Sequence, residues 1–416
     1  MNQPPAAFDS ESHSGYAAFR YRDFRLHLGF RLLAGAAMQM QNVGVGWFVY
    51  SETKSAWALG LVGLASFVPS LLLALVTGHV ADNFNRRIVV ALGFLLCCAS
   101  AIGMAFIAAF DVSQTWLVYA CVALSGAGRA FGNPAANAIT PLLVPRECLA
   151  NAISWYSVAQ QTATISGPAI GGLLYVFGPG VVFSVAAATF AASSVCVSLI
   201  RTPLGRGERA REPVTWTTLS AGLKFIYSRP ELIGSMTLDL AAVLFGGATV
   251  LLPIIAQDVL DAGPFGMGLL RSSQAFGALL MFGLLVYLPM RSGVGKKMLW
   301  AVAIFGAATI GFGLSTWMPL TMACLAIMGA ANSVSVVIRH TMVQIETPDA
   351  MRGRVAAVNS VFTGSSNDLG DLEAGVTAAA FGAVPAIVIG GTATIGCALL
   401  WAWLFPALRN RQTLLR

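Results

Sequence analysis

Apolar residues recur along this chain in long blocks, not at alternate positions and not as a one-sided helical stripe. A helix needs about 20 residues to cross a bilayer core. Blocks of that order stand at 27–50, 57–79, 88–110, 115–136, 152–175, 180–200, 231–256, 265–288, 298–315, 317–338, 356–380 and 384–405. Short polar stretches rich in glycine, proline, asparagine and charge divide them. Two blocks fit least cleanly: the first contains Arg31 and several amides, and the eleventh contains Asp368, Asp371 and Glu373. A soluble core would not repeat this length twelve times, so the pattern predicts an all-α membrane protein with 12 transmembrane helices.

Composition strengthens that reading. The chain has 416 residues, of which 56% are hydrophobic and only 10% charged, whereas soluble chains are about 25% charged. The net charge of +7 would point to nucleic acid if the bases shared one soluble face. They follow the loops instead. With the N-terminus in the cytoplasm, Arg20, Arg22, Arg25, Arg86, Arg87, Arg146, Arg201, Arg206, Arg209, Arg211, Lys224, Arg229, Arg291, Lys296, Lys297, Arg352, Arg354, Arg409, Arg411 and Arg416 fall inside. Lys54 shares the outside with Glu52, Asp111, Asp258 and Asp261. This positive-inside bias predicts cytoplasmic N- and C-termini and needs no nucleic-acid partner. The segment before the first block is polar for too long to be a cleavable signal. Seven cysteines lie mostly in apolar blocks without CxxC spacing and read as small buried hydrophobes. No GxxxxGK[ST] loop, Ser/His/Asp set or metal-ligand spacing occurs, and the histidines (His13, His27, His79, His340) are scattered. An enzyme, a metal site and a cofactor are therefore not expected.

The longest polar connection, near the middle, suggests two halves. The expected organisation is a cytoplasmic N-terminal segment (1–26), a six-helix half (27–200), a cytoplasmic loop with an amphipathic helix around TWTTLSAGLKFIY (201–230), a second six-helix half (231–405) and a cytoplasmic tail (406–416). Faint self-similarity supports a pseudo-symmetric repeat, a mark of transporters. Pro145 in VPRECLANAISWYSV and Pro348 in TPDAMRGRVAAVNSV are 203 residues apart, and the same offset sets Gly172 on Gly375. Arg87 and Lys297, and likewise Arg129 and Arg339, are 210 apart.

Several motifs then carry a resemblance to the major facilitator superfamily across essentially the whole chain. GHVADNFNRR resembles the loop pattern GxxxDRxGRR through Gly78, Asp82, Arg86 and Arg87, with Asn83 and Asn85 replacing a base and a glycine. SGPAIGG resembles the fifth-helix exporter signature GxxxGPxxGG through Gly167, Pro168, Gly171 and Gly172, with Ala163 replacing the first glycine. Arg129 in SGAGRAFG is similar to the arginine of the fourth-helix pattern RxxxG, with its glycine one residue early. The stretches FGNPAANAITPLLVP and TPDAMRGRV resemble the bacterial branch that holds enterobactin-type siderophore exporters and transmembrane secretion effectors. The resemblance implies the superfamily fold, gating by Asp82 with Arg86 and Arg87, antiport for the GPxxGG helix, and a bacterial inner-membrane location. For Arg86 and Arg87, plain anchoring at the inner face remains the alternative.

The chemistry to place is in the embedded polar residues. A charge at a lipid-facing helix centre costs about 2.5–3.5 kcal/mol on insertion scales, so deep charges should face a cavity or one another. Asp239 is the only acid in its block. It is expected either to face the cavity or to pair with a base such as Arg31. Arg31, Arg271 and Arg339, nearer the block ends, could snorkel to the headgroups, while Arg129 is deeper. Asp368 and Asp371 are three apart and share a helix face, and Glu373 points elsewhere. From residue 356, Asp368 is about 18 Å along the helix. Proton-coupling candidates are thus Asp239, Asp368, Asp371, Glu373, Arg129 and Arg339. An irregular, glycine-interrupted helix whose acids bond to a neighbour is the bland alternative for the acidic cluster. Gln39, Asn42, Trp47, Gln160 and Gln161 are the substrate-cavity candidates, against ordinary helix–helix hydrogen bonding.

A carboxylic acid in a dry cavity can exchange protons near neutral pH. The expectation is a monomeric secondary transporter in the bilayer that exports a siderophore-like, drug-like or other small molecule by proton antiport. A uniporter or symporter importing a polar metabolite is one rival, and a non-transporting scaffold or sensor is another.

Overall fold

The computed structural model describes residues 16–110, 114–203, 216–288 and 292–413. His13 and the loop charges Asp111, Arg206, Arg209, Arg211, Arg291 and Arg416 lie outside the described residues, as does the side chain of Asp82. The described chain is nearly all helix, with no strand. It begins with α1 (Arg22–Thr53), α2 (Ala56–Asn83), α3 (Arg86–Ala109), α4 (Thr115–Ile139), α5 (Leu149–Tyr175) and α6 (Pro179–Ser198). It continues through α7 (Trp216–Tyr227), α8 (Pro230–Phe245), a short α9 (Leu252–Ile254), α10 (Gly263–Tyr287), α11 (Val294–Leu314) and α12 (Met318–Glu346). It closes with α13 (Asp349–Phe381), α14 (Ala383–Leu404) and a final turn, α15 (Pro406–Arg409).

Among the described residues, 8 helices are long and apolar enough to cross a membrane: α2, α3, α6, the stretch Pro230–Val259, α10, α11, α12 and α14. The helices α1, α4, α5 and α13 are also long, and they carry more of the amides, hydroxyls and charges. Local chemistry sets several ends. The Ser55 hydroxyl accepts from the Ala58 N–H and starts α2. Asn85, which replaces a glycine of the loop pattern, accepts from the Arg87 N–H and starts α3. Arg87 then donates to the Ile200 carbonyl at 2.6 Å, just past α6. Arg86 reaches the Ala138 carbonyl at 3.5 Å, near the end of α4. Both arginines therefore sit where helix carbonyls are left unpaired, a favourable place for a cation.

The seventh apolar block departs from the expected single helix. α8 stops at Gly246–Gly247, a 3₁₀ turn spans Ala248–Leu251, the short α9 holds Pro253, and a π-turn follows over Ile255–Val259. Proline removes a backbone donor and glycine frees the backbone, so the ladder breaks there. The eleventh block is the opposite case. α13 runs without interruption from Asp349 to Phe381 through its acids and glycines, so the irregular helix weighed for it does not occur.

Packing places α1 against α5 and α6, α3 against α4 and α6, α10 against α5 and α12, α11 against α12 and α14, and α2 against α4 and α13. Buried phenylalanines join α1, α3 and α6: Phe30 meets Phe94 edge-on at 5.0 Å, and Phe48 meets Phe183 at 6.2 Å. The opposite helix faces carry exposed large apolar side chains such as Leu72, Trp300 and Trp403. A surface that apolar is what a bilayer covers. The amphipathic helix α7 does not stand apart, because it packs on α13 and α8. Two polar ties hold the chain at helix ends. The Asp23 carboxylate accepts from the Thr202 N–H and hydroxyl at 2.7 and 2.6 Å, and Arg411 pairs with Glu231 and Glu346 at 2.6 and 2.7 Å.

Candidate functional site

Two glycine contacts decide how close the helices come. A Cβ on Gly172 of α5 would lie 2.5 Å from the Pro264 carbonyl and 3.1 Å from the Gly268 Cα of α10. A Cβ on Gly60 of α2 would lie 3.1 Å from the Gly375 Cα of α13. The other glycines of the exporter signature face the opposite way, Gly167 onto Gln39 and Gly171 onto Met40 of α1. α5 is thus pressed between α1 and α10, and Pro168 lies inside it without ending it. The absence of side chains permits this approach, as in small-residue membrane interfaces.

Between these contacts lies a cavity of about 140 Å³. α1, α2 and α4 form one wall, and the Thr249–Pro253 turn, α10 and α13 form the other. Four charged side chains line it: Arg129, Arg271, Asp368 and Asp371. Asp371 is seated against Gly63 of α2, where a Cβ would come within 2.9 Å of the Asp371 Cβ. Arg129 donates to the Ser66 hydroxyl and reaches the Met38 sulfur at 3.5 Å, and its Nε is buried with no hydrogen-bond partner. Two acids and two bases balance formally, which keeps a buried group of charges affordable. Asn42 and Gln41 add amides to the wall, and Gln41 is braced by its bond to the Ser100 hydroxyl at 2.9 Å.

The other expected residues fall elsewhere. Asp239 does not meet Arg31. It forms a buried ion pair with Arg339 at 3.1 Å, accepts from the Ser335 hydroxyl at 3.0 Å, and leaves Arg339 to donate to Asn359 and Thr363. Arg339 and Arg31 are therefore buried within the protein, not snorkelling, and Arg271 points to the cavity. Glu373 accepts from the Thr377 hydroxyl at 2.8 Å, one turn along its own helix. Trp47 is buried edge-on against Tyr175. Gln161 ties α5 to α10 through the Ala275 carbonyl at 3.1 Å. Gln39 packs on Gly167, and Gln160 lines a second cavity with Arg31. Ser66, Ser125 and the Thr249–Pro253 turn are parts of the central wall that sequence reasoning did not single out. The sequence signal for the turn was the Gly-Gly and Pro punctuation of the seventh block, and Ser66 and Ser125 carried none.

The profile of the transmembrane secretion effectors matches residues 13–412. The chain belongs to that major facilitator family. It is 29% identical over 398 residues to the enterobactin exporter EntS of Escherichia coli, covering 92% of each chain. It is 23% identical over 377 residues to the macrolide efflux protein A of Streptococcus pyogenes, covering 89% of this chain and 92% of that one. Solved structures agree on the fold. A POT family transporter in complex with 5-aminolevulinic acid superposes with a TM-score of 0.74 at 13% identity, over 93% of this chain and 97% of that chain. The nucleoside transporter NupG superposes with a TM-score of 0.71 at 12% identity, over 92% and 99%. The protein is a major facilitator transporter of the bacterial inner membrane, crossing it several times.

Proposed function

We propose that this protein exports a small organic molecule by alternating access, as a proton antiporter. The reading assigns it 12 transmembrane helices in two six-helix halves, 27–200 and 231–405, with cytoplasmic termini. It works as a monomer. The observation that carries the proposal is the cavity in which Asp368 and Asp371 share a wall with Arg271, and Arg129 lies on the other, between the glycine contacts of α5 with α10 and α2 with α13. A proton taken up by one of these acids releases an arginine, and a departing or arriving substrate competes for the same groups. The two glycine seams let the halves rock without side chains catching, and Asp82, Arg86 and Arg87 sit at the α2–α3 turn where the gate belongs. Asp239 and Arg339 serve as a fixed pair, and Glu373 is a secondary proton candidate.

The cavity is about 140 Å³, well below the roughly 300–1,000 Å³ of sites for drug-sized ligands. A substrate of that size therefore enters only when the halves part. Siderophore-like and drug-like compounds are the candidate substrates, in line with the export of enterobactin and macrolides by the named relatives.

Everted membrane vesicles test the proposal. An imposed inside-acid gradient should drive accumulation of enterobactin or a macrolide, and dissipating the gradient should abolish it. Asp371→Asn should lose at least tenfold of gradient-driven accumulation and keep substrate exchange between the two sides. Flux that merely equilibrates, unaffected by the gradient, would replace the antiporter with a uniporter. No flux of any compound would favour a scaffold.

A further inference from the structure

A second cavity, of about 230 Å³, lies off the central one, among α1, α3, α4 and α5. Its walls combine apolar surface from Ala34, Met38 and Phe94 with the side-chain amides of Asn133, Asn137 and Gln160. Among the described residues, Arg31 supplies the only charge in its lining. This arginine is 6% exposed. It donates to the Asn137 side-chain Oδ1 and lies over the Tyr156 ring, 4.7 Å from the centroid. A guanidinium has five N–H donors, and the Arg31 Nε is buried with no partner. No carboxylate among the described residues comes within ion-pair distance of it.

An isolated buried cation is expensive, and stability alone gives no reason to keep one. Arg339 shows how this chain neutralises a buried arginine when it needs to, with Asp239 at 3.1 Å. Arg31 lacks such an acid, faces a cavity, and has an aromatic face and an amide to hold its plane in one orientation. A planar guanidinium fixed this way with a donor to spare is a receptor for an oxyanion. The apolar walls suit an organic body behind that anionic end, in the manner of small-molecule pockets.

We propose that the Arg31 cavity binds the carboxylate or similar oxyanion end of a small organic acid, with Arg31 as the charge and Asn137 and Tyr156 as its positioning residues. Resting on the export reading, this would be a loading site distinct from the Asp368–Asp371 cavity. The binding itself does not depend on proton coupling.

Equilibrium dialysis of the purified full-length protein in detergent, with radiolabelled benzoate as the probe and benzamide as its neutral counterpart, tests the proposal. Benzoate should bind saturably at one site and benzamide should not. Arg31→Gln should weaken benzoate at least tenfold, and Arg31→Lys should weaken it less. Asn137→Asp guards against a folding defect, because it is isosteric and places a carboxylate on Arg31. It should abolish benzoate binding while raising the thermal midpoint. Equal binding of benzoate and benzamide, or benzoate binding unchanged in both Arg31→Gln and Asn137→Asp, would overturn the site. Loss in Arg271→Gln in place of Arg31→Gln would move the anion to the central cavity and overturn it as well. Displacement of benzoate by equimolar inorganic phosphate would reject the organic-acid assignment. Proton-independent flux in vesicles would refute the antiport reading and leave these binding outcomes standing.

Discussion

Arg339 and Arg31 are both buried arginines on long helices, and their surroundings differ by one carboxylate. Arg339 of α12 has Asp239 of α8 at 3.1 Å, and Asn359 and Thr363 of α13 take further donors. Arg31 of α1 has Asn137 of α4 and the Tyr156 ring of α5, and a cavity beside it. The first arrangement closes three helices around a neutral pair. The second leaves a net positive charge facing open space. A buried arginine is therefore not one kind of feature in this protein: one is a cross-brace, and the other is a charge awaiting a partner.

The largest expected effect comes from breaking the brace. Asp239→Asn strands Arg339 as an uncompensated buried charge and should cost about 3–5 kcal/mol, read as a lower unfolding midpoint in detergent. Replacing both partners, Asp239→Leu with Arg339→Met, should recover most of that loss. A midpoint untouched by Asp239→Asn would mean that another group neutralises Arg339. A smaller loss is expected from Ser335→Ala, which removes one hydrogen bond to a charged oxygen, worth about 1.5–3 kcal/mol. The smallest is Arg31→Met. It strands no opposite charge and relieves a desolvated cation, so its midpoint should stay within about 1 kcal/mol of the parent or rise. If Arg31→Met were as damaging as Asp239→Asn, the distinction between brace and receptor would collapse.

The same contrast separates the two glycine seams. Gly172 meets Gly268 in surroundings of proline, glycine and backbone carbonyl, whereas Gly60 meets Gly375 one turn from Asp371. One seam is smooth backbone, and the other carries the acids of the central cavity. The 203-residue offset that sets Gly172 on Gly375 therefore joins positions that do the same steric work with different chemistry nearby.

Much of this was legible in the chain. Block lengths marked the helices, and the positions of Gly167, Gly171 and Gly172 marked a helix that must be approached closely. Asp368 and Asp371, three apart, were legible as one helical face. Partners were not legible. Arg31 and Asp239 look like a pair across the repeat, yet each finds its neighbours within its own set of helices. The break after α8 was also hidden, because Gly246, Gly247 and Pro253 interrupt a run that stays apolar throughout.

By itself the sequence determined the membrane class and the family, because burial in lipid demands long apolar helices whose backbones satisfy themselves. Only the tertiary structure decided which charges meet. A guanidinium or carboxylate acts over a few ångströms, and the helices that come that close are separated by tens to hundreds of residues. Their approach depends on which small residues let the backbones touch. That is why Asp239 has Arg339, Asp371 lies on Gly63 across from Arg271, and Arg31 faces a cavity with its Nε unclaimed.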